Sequence, residues 1–337
     1  MFNFDRDRYK RIQGGAVACR GQIDQAVEEV TARGFANLFL IGSGGAGILM
    51  SPVEYVLRTH STLPVYREIA AEFVTMDHKH FNERSLVVLA SLSGTTQETV
   101  EAAQYCKDRG AVTIGFTGKA GTPLAELADY SIVNFAEDDT SCESFFIQFY
   151  LLAFRIMYNR GEFPEYDRLV AEWERLPEAL LDVKERTEAR AKAFAGRYRN
   201  EDYHMMVGSG NTWGEAYYYA MCILEEMQWI KTRPVHASDF FHGALELIEK
   251  DMSLILLKGE DETRPLMDRV ERFAKSYTDE LTVFDTADYE LAGISPAYRK
   301  YVSPVVAAAL LERVSCHLEH VRNHPLTTRR YYRRVQY

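Results

Sequence analysis

The chain has 337 residues, 47% of them apolar and 26% charged, with a net charge of −10 at pH 7. That is enough ordinary globular sequence for two domains, and the acidic balance argues against non-specific nucleic-acid binding, which needs a basic surface. No apolar run reaches the ~20 residues of a membrane span. The opening Met1-Phe2-Asn3-Phe4-Asp5-Arg6 also lacks the basic-then-apolar order of a signal peptide.

Residues 16–33 carry apolar side chains at helical spacing and run into Gly34, a helix stop. Asn37-Leu38-Phe39-Leu40-Ile41 then reads as a buried parallel strand. It leads straight into Gly42-Ser43-Gly44-Gly45-Ala46-Gly47 and a helix to about residue 57. Strand, glycine turn and helix start form the arrangement that offers backbone N–H groups to an anion. The unit recurs: strand Leu86-Val87-Val88-Leu89-Ala90, turn Ser91-Leu92-Ser93-Gly94-Thr95-Thr96, then a helix over 97–109 stopped by Gly110. Further strands are expected at 112–116 and 131–135. Strands alternating with helices over roughly 30-residue units predict an α/β domain with a parallel sheet.

Residues 141–200 read as long helices, one apolar (145–158) and one charged (177–197), its charged faces expected in solvent or else at a subunit contact. The pattern then restarts. Met205-Met206-Val207-Gly208-Ser209-Gly210 echoes Phe39-Leu40-Ile41-Gly42-Ser43-Gly44, with Ile41 and Val207 166 positions apart. Strands at 254–257 and 281–284 continue a second copy, so the chain reads as two tandem α/β subdomains. A helix over 302–322 and a basic tail complete it. The five scattered cysteines (Cys19, Cys106, Cys142, Cys222, Cys316) include no C-x-x-C pair and suit reduced cytoplasmic thiols.

Four groups of residues carry chemistry. Ser91, Ser93 and Thr96 crowd three hydroxyls around Gly94 at a strand-to-helix turn. One hydroxyl suffices for an N-cap, so three point to a phosphate dianion. Gly42, Gly44 and Gly47 fit G-x-G-x-x-G, but no acidic residue falls cleanly where a dinucleotide site needs one; Tyr66-Arg67-Glu68 comes slightly late. Close backbone approach to a sugar is the better reading. Glu225 and Glu226 lie near the end of a helix expected over 213–228. After a short polar turn, Asp239-Phe240-Phe241-His242-Gly243 places a histidine sixteen residues beyond Glu226. A carboxylate and a histidine make a base and an acid for proton transfer, although helical geometry alone does not choose between the two glutamates. His242 reads equally well as a satisfied histidine at a helix start. His317 and His320 beside Cys316 have i, i+3 spacing but no completing ligands, so a helix surface is expected there and no metal site. The tail interleaves Arg329, Arg330, Arg333 and Arg334 with Tyr331, Tyr332 and Tyr337, as either a disordered basic end or a lid over an anionic substrate.

With these residues in view, the two-copy layout, the Ser91–Thr96 turn and the Glu226-to-His242 spacing resemble the sugar isomerase (SIS) domain proteins, including the isomerase half of glucosamine-6-phosphate synthase. Met227-Gln228-Trp229, Asp239-Phe240-Phe241-His242-Gly243 and His324-Pro325-Leu326-Thr327-Thr328-Arg329-Arg330-Tyr331 are similar to one branch, the bacterial deglycases of 6-phosphofructosyl amino acids. The resemblance covers nearly the whole chain. It implies two SIS subdomains, each a parallel sheet in a three-layer αβα sandwich, at 1–165 and 166–322, followed by a tail or lid at 323–337. It further implies Ser91, Ser93, Gly94 and Thr96 on the phosphate, Ser43, Gly44 and Gly45 on the sugar, Glu226 as general base and His242 in ring opening, the last acting from its own chain or from the other subunit of a homodimer. Asp239, Arg329 and Arg330 are then expected near substrate. Two departures stand out: Ala46 replaces a usual serine, and Ser238-Asp239 replaces a usual glycine-glutamate pair.

The chemistry so implied begins with an open-chain fructosamine phosphate, whose C1 proton is acidified by the C2 carbonyl. Glu226 would move that proton to C2 through an enaminol, and water would split the resulting C1 imine into glucose 6-phosphate and a free amino acid. Such a reaction calls for no metal or redox cofactor and takes a small-molecule sugar phosphate as partner. Aldose–ketose isomerisation by the same base is the alternative enzyme. A sugar-phosphate-sensing regulator is the non-enzymatic alternative, disfavoured because no DNA-reading segment accompanies the two copies.

Overall fold

The computed structural model describes residues 1–136 and 142–336. Contacts divide the chain into two compact units, Arg6–Pro177 and Met1–Asp5 with Glu178–Tyr337. The border expected at 165/166 falls just ahead of the helix Tyr166–Trp173, and the tail belongs to the second unit.

The first unit is built on five parallel strands, β1 (Asn37–Gly42), β2 (Val65–Ile69), β3 (Ser85–Ser91), β4 (Val112–Thr117) and β5 (Tyr130–Val133), in the order β2-β1-β3-β4-β5. Every residue of β1 and β3 is buried, as their unbroken apolar runs require of central strands covered on both faces. After β1 the chain moves outward to β2, then returns to the other side of β1 as β3. The gap beyond the carboxyl ends of β1 and β3 is therefore the topological switch point, where open α/β sheets bind ligands. Gly42 pairs with Ala90 across that gap, so the glycine turn and the hydroxyl turn leave the sheet side by side.

The single helix expected over 16–33 is instead two, Arg6–Ala18 and Arg20–Arg33. The break falls at Cys19, flanked by Gly14, Gly15 and Gly21, which are weak helix formers.

The second unit repeats the plan with β6 (Tyr203–Gly208), β7 (Lys231–His236), β8 (Leu254–Lys258) and β9 (Leu281–Asp285), parallel and in the order β7-β6-β8-β9. The polar turn expected between Trp229 and Asp239 is in fact β7. Its mixed exposure and Pro234 hid it, and both are tolerated because β7 is an edge strand.

The charged helix Leu176–Arg197 does not present all its charge to solvent. Lys184 is fully buried, its Nζ 2.8 Å from Glu312 Oε2 and donating to Ala309 O at 3.2 Å. Glu188 accepts from the equally buried Arg313 at 2.8 Å. On the long helix Pro296–Arg322, Cys316 and His317 are buried rather than exposed, His317 Nε2 lying 3.2 Å from Glu188 Oε1. The helix surface expected there holds for the exposed His320, whereas His317 belongs to an internal ion network.

Candidate active site

The hydroxyl turn after β3 is held by its own side chains. Ser91 Oγ lies 2.8 Å from Thr96 Oγ1 and 3.4 Å from Ser93 Oγ, and accepts the Gly94 N–H at 3.1 Å. Ser93 Oγ accepts the N–H and hydroxyl of Thr95 at 3.3 and 3.0 Å. Thr96 occupies the N-cap of the helix Gln97–Asp108, yet no side chain caps that helix. The first N–H groups of a helix have no intrahelical acceptors, so donors and hydroxyls converge on one concave turn. Gly94 has φ +65°, and a Cβ there would lie 2.0 Å from Thr122 Oγ1, so only glycine lets the turn close.

In the neighbouring turn, a Cβ on Gly42 would sit 2.8 Å from the Gly47 nitrogen. Two of the three glycines in the G-x-G-x-x-G frame thus serve strand–helix contact. Ser43 is the extended N-cap of the short helix Gly44–Ile48 but makes no cap bond; its Oγ is shielded from solvent and has no hydrogen-bond partner among the described residues. Gly44, at φ +54°, is exposed beside it, with Gly45 partly so.

The second copy repeats this conformation and then fills it. Ser209 is an extended N-cap and Gly210 has φ +50°, matching Ser43 and Gly44. The loop after β8, equal in length to that after β3, places Asp261 where the first copy has Gly94. Asp261 accepts from the Asn211 N–H at 2.7 Å and from the Thr263 N–H and hydroxyl at 2.8 and 2.6 Å. A built-in carboxylate thus takes, in the second copy, the N–H groups that correspond by position to those of Gly45 and Thr96 in the first.

Glu226 is positioned by a change of winding. The helix Gly210–Tyr218 continues as a π-helical segment, Tyr219–Glu225, and the N–H groups of Glu226 and Gln228 bond five residues back, to Met221 O and Ile223 O. Trp229 then closes the element at φ +58°. This separates the adjacent glutamates. Glu225 accepts from the Thr232 N–H and hydroxyl at 3.2 and 2.6 Å, fastening the start of β7. Glu226 faces the tail, its Oε1 2.8 Å from Arg329 Nε. Arg329 in turn donates to Leu326 O and Thr328 O at 2.6 and 3.0 Å, and Gln228 donates to His324 O at 2.8 Å. Residues 324–330 are thereby docked rather than loose. They close a cavity of about 650 Å³ walled by Glu225, Glu226, Trp229, Ile230, Lys231, Thr232 and residues 329–332. The Arg330 guanidinium lies 3.9 Å from the Trp229 ring centroid. Lys231 and Thr232 were missed from sequence because they lie in the stretch read as a turn. Tyr337 lies outside the described residues.

His242 is not in that wall. It ends the 3-10 turn Phe240–His242, exposed, with Phe240 fully buried beneath the turn and Gly243 at φ +144° behind it. The exposed Asp239 accepts the His242 N–H through its carbonyl at 2.9 Å. Next to it, His236 Nδ1 lies 2.6 Å from Ser238 Oγ, and burial holds its imidazole below the ordinary range despite the opposing pull of Asp239 and Asp261.

Comparison with known proteins adds a family. The SIS domain model matches residues 35–157. The fructosamine deglycase FrlB of Bacillus subtilis (strain 168) is 33% identical over 94% of this chain and 97% of its own length. The fructoselysine 6-phosphate deglycase of Escherichia coli (strain K12) is 24% identical over 91% of this chain and 88% of its own. A solved Bacillus subtilis structure, described as a phosphosugar isomerase, superposes with a TM-score of 0.90 at 31% identity, covering 96% of this chain and 99% of that one. No described helix is long and apolar enough to cross a membrane. With a relative at that identity across almost its full length, the chain belongs to the SIS domain family, in the branch that holds the fructosamine deglycases.

Proposed function

We propose that this protein is a fructosamine 6-phosphate deglycase, which cleaves a 6-phosphofructosyl amino acid with water to glucose 6-phosphate and a free amino acid. The observation that carries this reading is the Glu226 carboxylate, ion-paired at 2.8 Å in the wall of a cavity about 650 Å³ in volume, in a chain of deglycase kinship. The substrate is a small molecule. Ser91, Ser93, Gly94 and Thr96 hold its phosphate; the uncapped helix start and the convergent hydroxyls support that role. Ser43, Gly44 and Gly45 approach the sugar, and the unpartnered Ser43 hydroxyl supports a hydrogen bond there.

His242 assists ring opening, which frees the C2 carbonyl. Glu226 removes the C1 proton, giving an enaminol, and returns it to C2. The C1–N bond is then an imine, and water adds at C1 to release the amine and leave the aldehyde of glucose 6-phosphate. Glu226 must be ionised for the first transfer, and it is ion-paired with Arg329 Nε at 2.8 Å. Asp239, Arg329 and Arg330 belong to the amine end of the substrate. The exposure of His242, away from the Glu226 cavity, supports a homodimer in which it serves the partner's site. Five buried free thiols fit a reducing cytoplasm.

The test is incubation with 6-phosphofructosyl amino acids, followed by mass spectrometry. Stoichiometric release of glucose 6-phosphate and amino acid is expected. Conversion to a rearranged phosphosugar with the amine still attached, or no conversion, overturns the reading.

A further inference from the structure

We propose that Lys231 and Arg330 form a carboxylate receptor in the wall of the Glu226 cavity, so that the protein selects Amadori phosphates whose carboxylate lies next to the glycated nitrogen. The proposal rests on the deglycase reading, because it takes Glu226 as the base at C1. A base must approach to within about 3 Å of the carbon it deprotonates, and the glycated nitrogen is bonded to that carbon. The amino-acid half of the substrate therefore enters the space that Glu226 walls.

That space is cationic. Lys231, Arg329 and Arg330 face Glu225 and Glu226. Arg329 is matched to Glu226 at 2.8 Å, and the Glu225 carboxylate is taken up by Thr232. Lys231 is exposed and makes no ion pair among the described residues. The Arg330 guanidinium carbon lies over the Trp229 ring, 3.9 Å from its centroid, and a guanidinium packed on a ring still offers N–H groups to a carboxylate. Trp229, Tyr331 and Tyr332 supply apolar wall for a carbon stem.

In an Nα-linked amino acid the carboxylate is separated from the glycated nitrogen by one carbon, within reach of this pair. In an Nε-linked lysine the carboxylate is carried five carbons from that nitrogen, and an α-ammonium accompanies it. Two cations near the reacting nitrogen attract the first arrangement and repel the second.

The experiment measures kcat and KM for wild type, Lys231→Gln, Arg330→Gln and Arg330→Lys on three 6-phosphofructosyl substrates: Nα-linked glycine, Nε-linked lysine and butylamine. Wild type is expected to favour the glycine derivative over butylamine by about tenfold or more in kcat/KM, the order of a charge-assisted hydrogen bond. Either glutamine variant should raise KM for the glycine derivative about tenfold at nearly unchanged kcat and change KM for butylamine several-fold less, with Arg330→Lys recovering part of the loss. Release from all three substrates without that preference, or losses equal on all three, overturns the receptor and leaves the deglycase reading standing. No release from any of them overturns both.

Discussion

At the scale of single residues, the proposed chemistry turns on which of two adjacent glutamates would meet substrate. Glu225 is bound to the backbone and hydroxyl of Thr232, whereas Glu226 faces Arg329 across the cavity. Glu226→Gln keeps the shape and removes the proposed base, so kcat should fall by about 10²- to 10⁴-fold with an unchanged circular dichroism spectrum. Glu225→Gln should keep kcat within about twofold and lower the melting temperature slightly, since its role is to fasten β7. Equal losses in the two variants would remove Glu226 from its role. The sequence alone leaves the pair undecided, because faces are assigned on a 3.6-residue period and the segment Tyr219–Glu225 is wound as a π-helix. The hydroxyl turn, by contrast, was legible: it depends on residue types at a single strand-to-helix junction, with no long-range partner needed.

A second residue sets a pH limit on stability. His204 is fully buried on β6, its Nδ1 2.7 Å from Ser253 Oγ. Burial, aided by the Arg322 charge, lowers its pKa from 6.5 to about 4. Above pH 6.5 the ring is neutral in the folded and unfolded chains and stability is unaffected. Between pH 6.5 and about 4 only the unfolded chain takes the proton, so stability drops as pH falls, by up to about 3 kcal/mol. His204→Asn offers an amide oxygen in place of Nδ1 and does not titrate. The difference in urea midpoint between the two proteins should therefore be constant above pH 6.5 and shrink below it. A constant difference down to pH 4 would show that the imidazole gains its proton as easily folded as unfolded.

At the scale of elements, the first unit was legible where strands are continuous apolar runs, as in β1 and β3, and its glycine and hydroxyl turns followed from them. β7 was not, because an edge strand needs neither an apolar run nor a full set of N–H donors. The helix Leu176–Arg197 was misjudged for another reason. A charge can be buried when a partner distant in sequence meets it, and periodicity carries no record of Glu312 meeting Lys184. Glu312 is held below the ordinary carboxylate range, since its attraction to Lys184 and Arg313 outweighs burial. Lys184→Met should therefore destabilise the protein by about 3 kcal/mol, by leaving the carboxylate short of a cation. Adding Glu312→Gln should recover part of the loss; strictly additive losses by denaturant unfolding would show that the pair is not coupled.

At the scale of the whole molecule, the two copies share a strand plan and a serine–glycine turn conformation, yet Asp261 fills the second turn while no side chain caps the helix after the first hydroxyl turn. Repetition of the fold thus does not entail repetition of the site. Glu226 lies in the second copy and the hydroxyl turn in the first, and in the deglycase reading proposed above the exposed His242 serves either its own chain or a partner. If it serves the partner of a homodimer, two inactive variants complement one another. Co-expressed Glu226→Gln and His242→Asn chains form heterodimers in which one site pairs an intact Glu226 with an intact His242, while the other site lacks both. Random pairing makes about half the dimers mixed, each with one working site of two, so about a quarter of wild-type activity should return. If both groups act within one chain, every site in every dimer lacks one of them, and the mixture should stay at the level of the single variants. Light scattering on the same preparation, reading a dimer mass, makes the count of sites unambiguous.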